Sequence, residues 1–443
     1  MTSTDRDSAH RAHLDRLQQA YAELLEHTGF DAVLIYSGHA RTQHGDDQES
    51  SFSAFGHFVH WTGAPHHQHE WLWIAPGSTP RWFYYAPTDF WHLPTPPPQG
   101  VRAECLDPTP LSQPTTAAAL IGAQPRVAVL GDVSADAVPA TATLNPPSLL
   151  HALDELRLYK DDYESDCLRL ANRYALAGHT AAREAFAAGA SELDIQLAYL
   201  AATRQRESEL AYQNIVGINA HAGTLHYQHY ATEAPDPLRS LLVDAGHRHA
   251  GYCADITRTW AALDADPLFA PLIDGVTAFQ QRLIAELAPG VDFVDLHQRM
   301  HHYLGALLAD TGVLRMSAEA AVASGLTRAF CPHGLGHSLG VQVHDVGGRQ
   351  RDASGAPLPP PTEDPALRLT RTLAPGMVVT IEPGLYIIPF LLAPFREGAE
   401  RQAVDWDRVD RLIDHGGIRI EDNVLITAEG HANLTPAPAN NAR

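Results

Sequence analysis

The chain has 443 residues, 45% of them apolar and 19% charged, enough for two or three domains with buried cores and too apolar for a disordered chain. Its 52 acidic residues against 31 Lys and Arg give a net charge of −21, which excludes phosphate-backbone binding and with it a nucleic-acid partner. The most apolar stretch, 377–395, contains Glu382, Pro383, Pro389 and Pro394 and is too polar and broken to span a bilayer.

The first 27 residues hold no uninterrupted apolar segment of signal-peptide length. Cys105, Cys167, Cys253 and Cys331 lie far apart, without zinc-site spacing, and are read as free thiols in a cytoplasmic protein. In chain order, Leu14, Leu17, Tyr21, Leu24 and Leu25 recur at helical spacing and predict a helix over 10–28, stopped at Gly29. Strands are expected at 32–36, 70–74, 82–85 and 127–130, with loops at 94–98 and 108–114. The histidines His57, His60, His66, His67 and His69 lack ligand partners of fixed spacing and are read as surface or packing residues.

Near residue 158 the composition turns rich in Ala, Leu and Glu. This divides the chain into a small N-terminal α/β domain, 1–158, and a second domain, 159–443. Helices are predicted within 161–205, with Ser191 as a cap, and over 266–288 and 293–311. Strands are expected at 241–244 and 251–261. The last hundred residues read as mostly strand, with a Pro-rich surface insertion at 353–365. No short-period repeat is present, which excludes a solenoid.

Four acids sit inside apolar, strand-like runs: Asp244 in Leu-Leu-Val-Asp, Asp255 in Tyr-Cys-Ala-Asp-Ile-Thr, Glu382 in Val-Val-Thr-Ile-Glu and Glu421 in Gly-Ile-Arg-Ile-Glu. An unpaired buried carboxylate is costly, so such acids call for nearby cations, either Arg and Lys or metal. The segment His333-Gly-Leu-Gly-His337-Ser-Leu-Gly-Val-Gln-Val-His344-Asp adds imidazoles flanked by glycine. Several carboxylates with one imidazole suit Mn²⁺, Co²⁺ or Zn²⁺. Two divalent ions would balance four carboxylates and lower the pKa of a shared water towards neutrality.

The order Asp244, Asp255, His337, Glu382, Glu421, with the first two eleven residues apart, resembles the five-ligand signature of the pita-bread metallopeptidases. The strings Leu-Leu-Ala-Pro-Phe-Arg-Glu-Gly and Gly-Gly-Ile-Arg-Ile-Glu-Asp-Asn most resemble the bacterial Xaa-Pro dipeptidase (prolidase) subgroup, close to organophosphorus acid anhydrolases. The resemblance implies an α/β N-terminal domain for capping and dimerisation before a pita-bread catalytic domain. It implies two metal ions, Mn²⁺ first, bridged by Asp255 and Glu421. Asp244 would complete one metal's shell, and His337 and Glu382 the other's.

On the same resemblance, Glu382 relays a proton from a metal-bridging water to the leaving proline nitrogen. His226, His333 and His344 line the substrate side and stabilise the oxyanion, Tyr212 lies near the substrate pocket, and Arg419 holds a ligand carboxylate. Arg368 matches the position that receives a dipeptide's C-terminal carboxylate, with Arg371 the alternative. The implied protein is a homodimer whose 38–55 loop reaches the partner's active site. Its implied substrate is a small Xaa-Pro dipeptide, with phosphotriesters as a side substrate. The competing functions are an aminopeptidase P acting on longer peptides and a non-catalytic pita-bread binding module.

Overall fold

A computed structural model of the protein describes residues 2–122 and 124–435. It divides into two compact units. The first comprises Met1–Cys167, His249–Tyr252 and Gln350–Pro357; the second comprises Leu168–Arg248, Cys253–Arg349 and Leu358–Arg443.

The first unit opens on the helix Ser3–Thr28, which begins seven residues before the start expected at residue 10. Its early turns are polar, and a reciprocal pair of side-chain bonds between Thr2 and Asp5 initiates them. Gly29, at φ +80°, closes the helix in a conformation that glycine adopts without strain. Six strands form one sheet in the order Asp107–Leu111, Arg81–Tyr85, Trp71–Ile74, Ala32–Tyr36, Val127–Leu130, Ala142–Leu144. Its centre, Ala32–Tyr36, is buried along its whole length and pairs parallel with Val127–Leu130. Leu34, Trp71, Ile121 and Val129 pack one core against it. The expected loop at 108–114 is in part the strand Asp107–Leu111. Pro108 and Pro110 are tolerated because this strand lies at the sheet edge, where missing N–H groups cost no ladder bond.

In the second unit, Ser191 caps the helix Glu192–Thr203, its side chain accepting from the Asp194 amide. Phe269–Ala285 and Phe293–Asp310 occupy the two later helical stretches. Three antiparallel strands, Ile215–Ile218, Ser240–Asp244 and Thr257–Ala261, form one sheet with Ser240–Asp244 in the middle. A second sheet joins Val378–Ile381, Asp422–Thr427 and Gly430–Asn433, and a pair joins Gly384–Tyr386 to Gly417–Arg419. A single bridge between Thr257 and Glu421 links the two larger sheets. Buried Val216, Leu241, Val243, Ile195 and Tyr199 form a core on one side of the first sheet.

The strand expected over 251–261 is broken, leaving the short strands Tyr252–Cys253 and Thr257–Ala261. Asp255 sits in the break, its amide bonded to Asn423 Oδ1 at 2.9 Å instead of to a neighbouring strand. The last hundred residues are not mostly strand. Among the described residues there, five short strands share the chain with helices Pro389–Glu397 and Trp406–Leu412. The apolar run read as strand turns helical at Pro389, whose fixed φ suits a first helical position. The 353–365 insertion is largely exposed, but Asp364 within it is buried. All four cysteines are free, three of them buried. Among the described residues no helix is long and apolar enough to cross a membrane.

Candidate metal centre

Strand ends and breaks bring the five predicted donors together. Asp244 ends a strand and lies opposite Thr257 in the register. Asp255 sits just before Thr257, and Glu421 pairs with Thr257 through its backbone. Glu382 follows Val378–Ile381 directly. His337 docks on that strand by exchanging backbone and side-chain bonds with Thr380, at 3.0 Å each. Gly336 permits this approach, since a Cβ there would lie 2.0 Å from the Thr380 carbonyl oxygen.

His337 Nδ1 lies 3.0 Å from the Ser338 carbonyl. With Nδ1–H donating there, the Nε2 lone pair faces Asp255 at 3.4 Å and Glu382 at 3.6 Å. Glu421 is 1% exposed; its Oε2 accepts from the Thr257 hydroxyl at 2.6 Å, while Oε1 has no hydrogen-bond partner among the described residues. Burial pushes Glu382 up to about 7 and Asp244 up to about 6, and raises Glu421 well above the ordinary carboxylate value. Burial acts on Asp255 in the same sense, but contact with His337 and Tyr212 holds it below its usual value. His337 is raised, since Asp255 and Glu382 outweigh its burial. An orphaned buried carboxylate oxygen, an imidazole lone pair and crowded like charges fit divalent metal in this set. Asp255, His337 and Glu421 converge with ligand atoms within 4.8 Å of one another.

Arg419 is 4% exposed and supports the donors from behind. Its Nη2 donates to Asp244 at 2.6 Å, Nε to the Thr257 hydroxyl at 3.2 Å and Nη1 to the Tyr386 hydroxyl at 2.7 Å. The Tyr212 hydroxyl lies 2.7 Å from Asp244 and 2.5 Å from Asp255. Tyr212 thus joins two carboxylates and is not among the cavity-lining residues. Thr257, Tyr386 and Asn423 were missed in the sequence, where nothing separates them from ordinary strand residues.

A cavity of about 270 Å³ opens over the donors and is lined also by His226, His333, His344, Arg368 and Arg419. Arg368 faces it; Arg371 is buried and donates to the Gly347 carbonyl at 3.4 Å. His333 has both nitrogens engaged, Nδ1 with the Gly334 carbonyl at 2.9 Å and Nε2 with the Tyr386 hydroxyl at 3.0 Å. Burial lowers it to about 3, and lowers His344 to about 4. His344 packs edge-on against His337, with ring centroids 4.4 Å apart.

The segment carrying His226 is organised by Glu192, which is 1% exposed. Its carboxylate accepts from the amides of Ile218 and Ala231, both at 2.8 Å, and from the Tyr227 hydroxyl at 2.7 Å, and lies 2.8 Å from His221 Nδ1.

Comparison with known proteins matches two family models, one in each part of the chain. Residues 166–428 match the model of metallopeptidase family M24, and residues 8–154 match that of the Xaa-Pro dipeptidase N-terminal domain. The chain is 48% identical to the Xaa-Pro dipeptidase of Marinobacter nauticus, over 96% of each chain. It is 43% identical to that of Edwardsiella ictaluri, over 97% of this chain and 98% of the relative. Among solved structures it is similar to zinc-substituted E. coli aminopeptidase P in complex with product, with a TM-score of 0.73 and 26% identity over 97% of this chain and 96% of that one. The expected pita-bread architecture is borne out by this likeness.

Proposed function

The chain belongs to metallopeptidase family M24 and is a metal-dependent hydrolase, and from that premise we propose that it cleaves Xaa-Pro dipeptides to a free amino acid and proline. The observation that carries this reading is a shared cavity: Arg368 lines the same space as all five donors. Asp244, Asp255, His337, Glu382 and Glu421 would hold the divalent metal, two ions balancing four carboxylates. Mn²⁺ is the expected metal, and the donor set also suits Zn²⁺ or Co²⁺. When bound, the ions supply a water nucleophile at neutral pH.

The chain's own residues do the rest. Glu382, made more basic by burial, takes a proton from the attacking water and returns it to the proline nitrogen as the C–N bond breaks. His344, kept neutral by burial, donates an N–H to the developing oxyanion, beside His226. His333 has no nitrogen to spare and forms a wall of the cavity. Tyr212, outside the cavity, and Arg419, on its wall, hold the carboxylates in place.

Arg368 receives the substrate carboxylate through its planar fork. A charge-assisted contact of this kind is worth about 1.5–3 kcal/mol, or about 10–150-fold in kcat/KM. The test is kinetics on Ala-Pro and Ala-Pro-Ala. The wild type should prefer Ala-Pro, and Arg368→Ala should lose that preference selectively. Equal kcat/KM on both peptides in the wild type would replace this reading with an aminopeptidase P. The same cavity admits a compact phosphotriester, whose hydrolysis is the expected side reaction. Residues 1–158 are assigned to dimerisation and 159–443 to catalysis, in a cytoplasmic homodimer. The exposed 38–55 loop then reaches the partner subunit's site.

A further inference from the structure

The helix Phe293–Asp310 carries His297 and His301 one turn apart on its buried face, each 1% exposed. Among the described residues neither ring makes a hydrogen bond through either nitrogen. Four orphaned ring nitrogens in two adjacent buried side chains are a large anomaly, because buried polar groups are nearly always satisfied. Asp364, 7% exposed, faces them: its Oδ1 lies 3.3 Å from His297 Nε2 and 3.9 Å from His301 Nε2. One ligand atom from each of the three residues lies within 4.8 Å of the other two.

We infer that His297, His301 and Asp364 form a third divalent-cation site, suited to a zinc-type ion and sharing no donor with the carboxylate-rich centre. Imidazole and carboxylate donors about 2.0–2.2 Å from a tetrahedral ion stand about 3.3–3.5 Å apart. His297 Nε2 and Asp364 Oδ1 meet that spacing without the alignment of a hydrogen bond, as two atoms converging on a third point would. The spacing matches that of His337 Nε2 from Asp255 and Glu382.

The carboxylate is also prepared for this role. Asp364 Oδ2 accepts from Arg328 Nη2 at 2.9 Å and Gln298 Nε2 at 2.8 Å. Oδ1 accepts from Arg328 Nε at 2.7 Å, and its other side is turned to His297 Nε2 at 3.3 Å. Arg419 holds Asp244 in the same manner. Burial lowers His301 to about 3, so its ring is neutral with a lone pair available. A cavity of about 140 Å³, lined by His297, Arg328, Glu363 and Asp364, leaves room for water as a further ligand. An ion there would tie the helix to the segment 363–368, which ends at Arg368.

The test is metal stoichiometry of the full-length protein, stripped by chelation and equilibrated with Zn²⁺. His297→Ala, His301→Ala and His301→Gln should each carry one equivalent fewer than the wild type, whatever number the carboxylate-rich centre holds. Equal stoichiometry in wild type and variants overturns the site. Diffraction above and below the zinc edge decides independently of how the variants fold. An anomalous peak between His297 Nε2, His301 Nε2 and Asp364 Oδ1 supports the inference, and density without anomalous signal identifies water and overturns it.

Discussion

Each unit buries a cluster of histidine and carboxylate, and the two differ in how their oxygens are occupied. In the first unit Glu164, 1% exposed, uses both oxygens: Oε1 meets His60 Nε2 at 3.1 Å and the Tyr252 hydroxyl at 3.0 Å, and Oε2 accepts from Arg16 at 2.7 Å and the Asp161 amide at 3.0 Å. His13 is engaged on both nitrogens, by Asp161 and the His60 carbonyl, and His60 Nδ1 alone is left over. In the second unit Glu421 keeps a bare oxygen among three other acids. The result appears in the protonation of the two acids. Burial opposes ionisation of both, but His60, His13 and Arg16 bring Glu164 far below the ordinary value, whereas Asp255, Glu382 and Asp244 drive Glu421 further up. A buried acid whose ionised form the protein itself compensates is structural, and one whose ionised form it leaves without a counter-charge awaits a cation.

The sharpest attempt to break this contrast is Asp255→Asn or Glu421→Gln. Either should cut kcat on Ala-Pro by several orders of magnitude and lower metal content, measured by steady-state kinetics and elemental analysis. Near-normal turnover would remove that residue from the centre. Chelation should abolish activity and lower Tm, with Mn²⁺ restoring both better than Mg²⁺, which gives up its own water shell reluctantly. An unchanged Tm on chelation would contradict the convergence of charge.

Glu164→Gln should do the reverse. It should cost about 3–5 kcal/mol in urea unfolding, as loss of one member of a buried charge network does, with metal content unchanged. The two clusters should also respond to pH with opposite signs. Glu164, depressed in the fold, contributes stability fully present above its unfolded value near 4.5 and lost as pH falls below it. In metal-stripped protein, raised Asp244 and Glu382 favour the protonated fold, so their contribution is lost as pH rises from about 4 to 7, with that of raised His337 lost only above its ordinary value and Asp255 running the other way. Tm against pH for stripped and loaded protein should therefore diverge upward through that range, and parallel curves would refute the assignment. The smallest effect is expected from His66→Ala and His69→Ala, which should leave metal content and kcat unchanged.

The donors were legible because an acid inside an apolar strand run is a local anomaly, and Asp244, Glu382 and Glu421 all occupy such runs. Choosing Arg368 over Arg371 was not, since spacing of three residues says nothing about which guanidinium a loop turns towards the cavity. Tyr212 was assigned to substrate, but its hydroxyl reaches two carboxylates 32 and 43 residues away in sequence, a long-range fact. His297 and His301 do carry a signal, their i and i+4 spacing on a predicted helix. Asp364, however, lies in a Pro-rich stretch whose composition reads as surface. The edge strand Asp107–Leu111 was hidden by its prolines, which oppose strand formation everywhere except where one side needs no partner.

The Glu192 carboxylate has a kinetic consequence. Between Ile218 and Ala231 the described regular structure is one short 3₁₀ turn, and one side chain holds the span from four points, beside the bonds that Asn219, Gln228 and Tyr230 make to Pro237, Gln213 and Asn214. Releasing that carboxylate frees four points of the segment together, instead of one at a time from an end. The amides of Ile218 and Ala231 should then exchange with solvent deuterium at a common rate, and His226 should visit and leave its place over the cavity on that same clock.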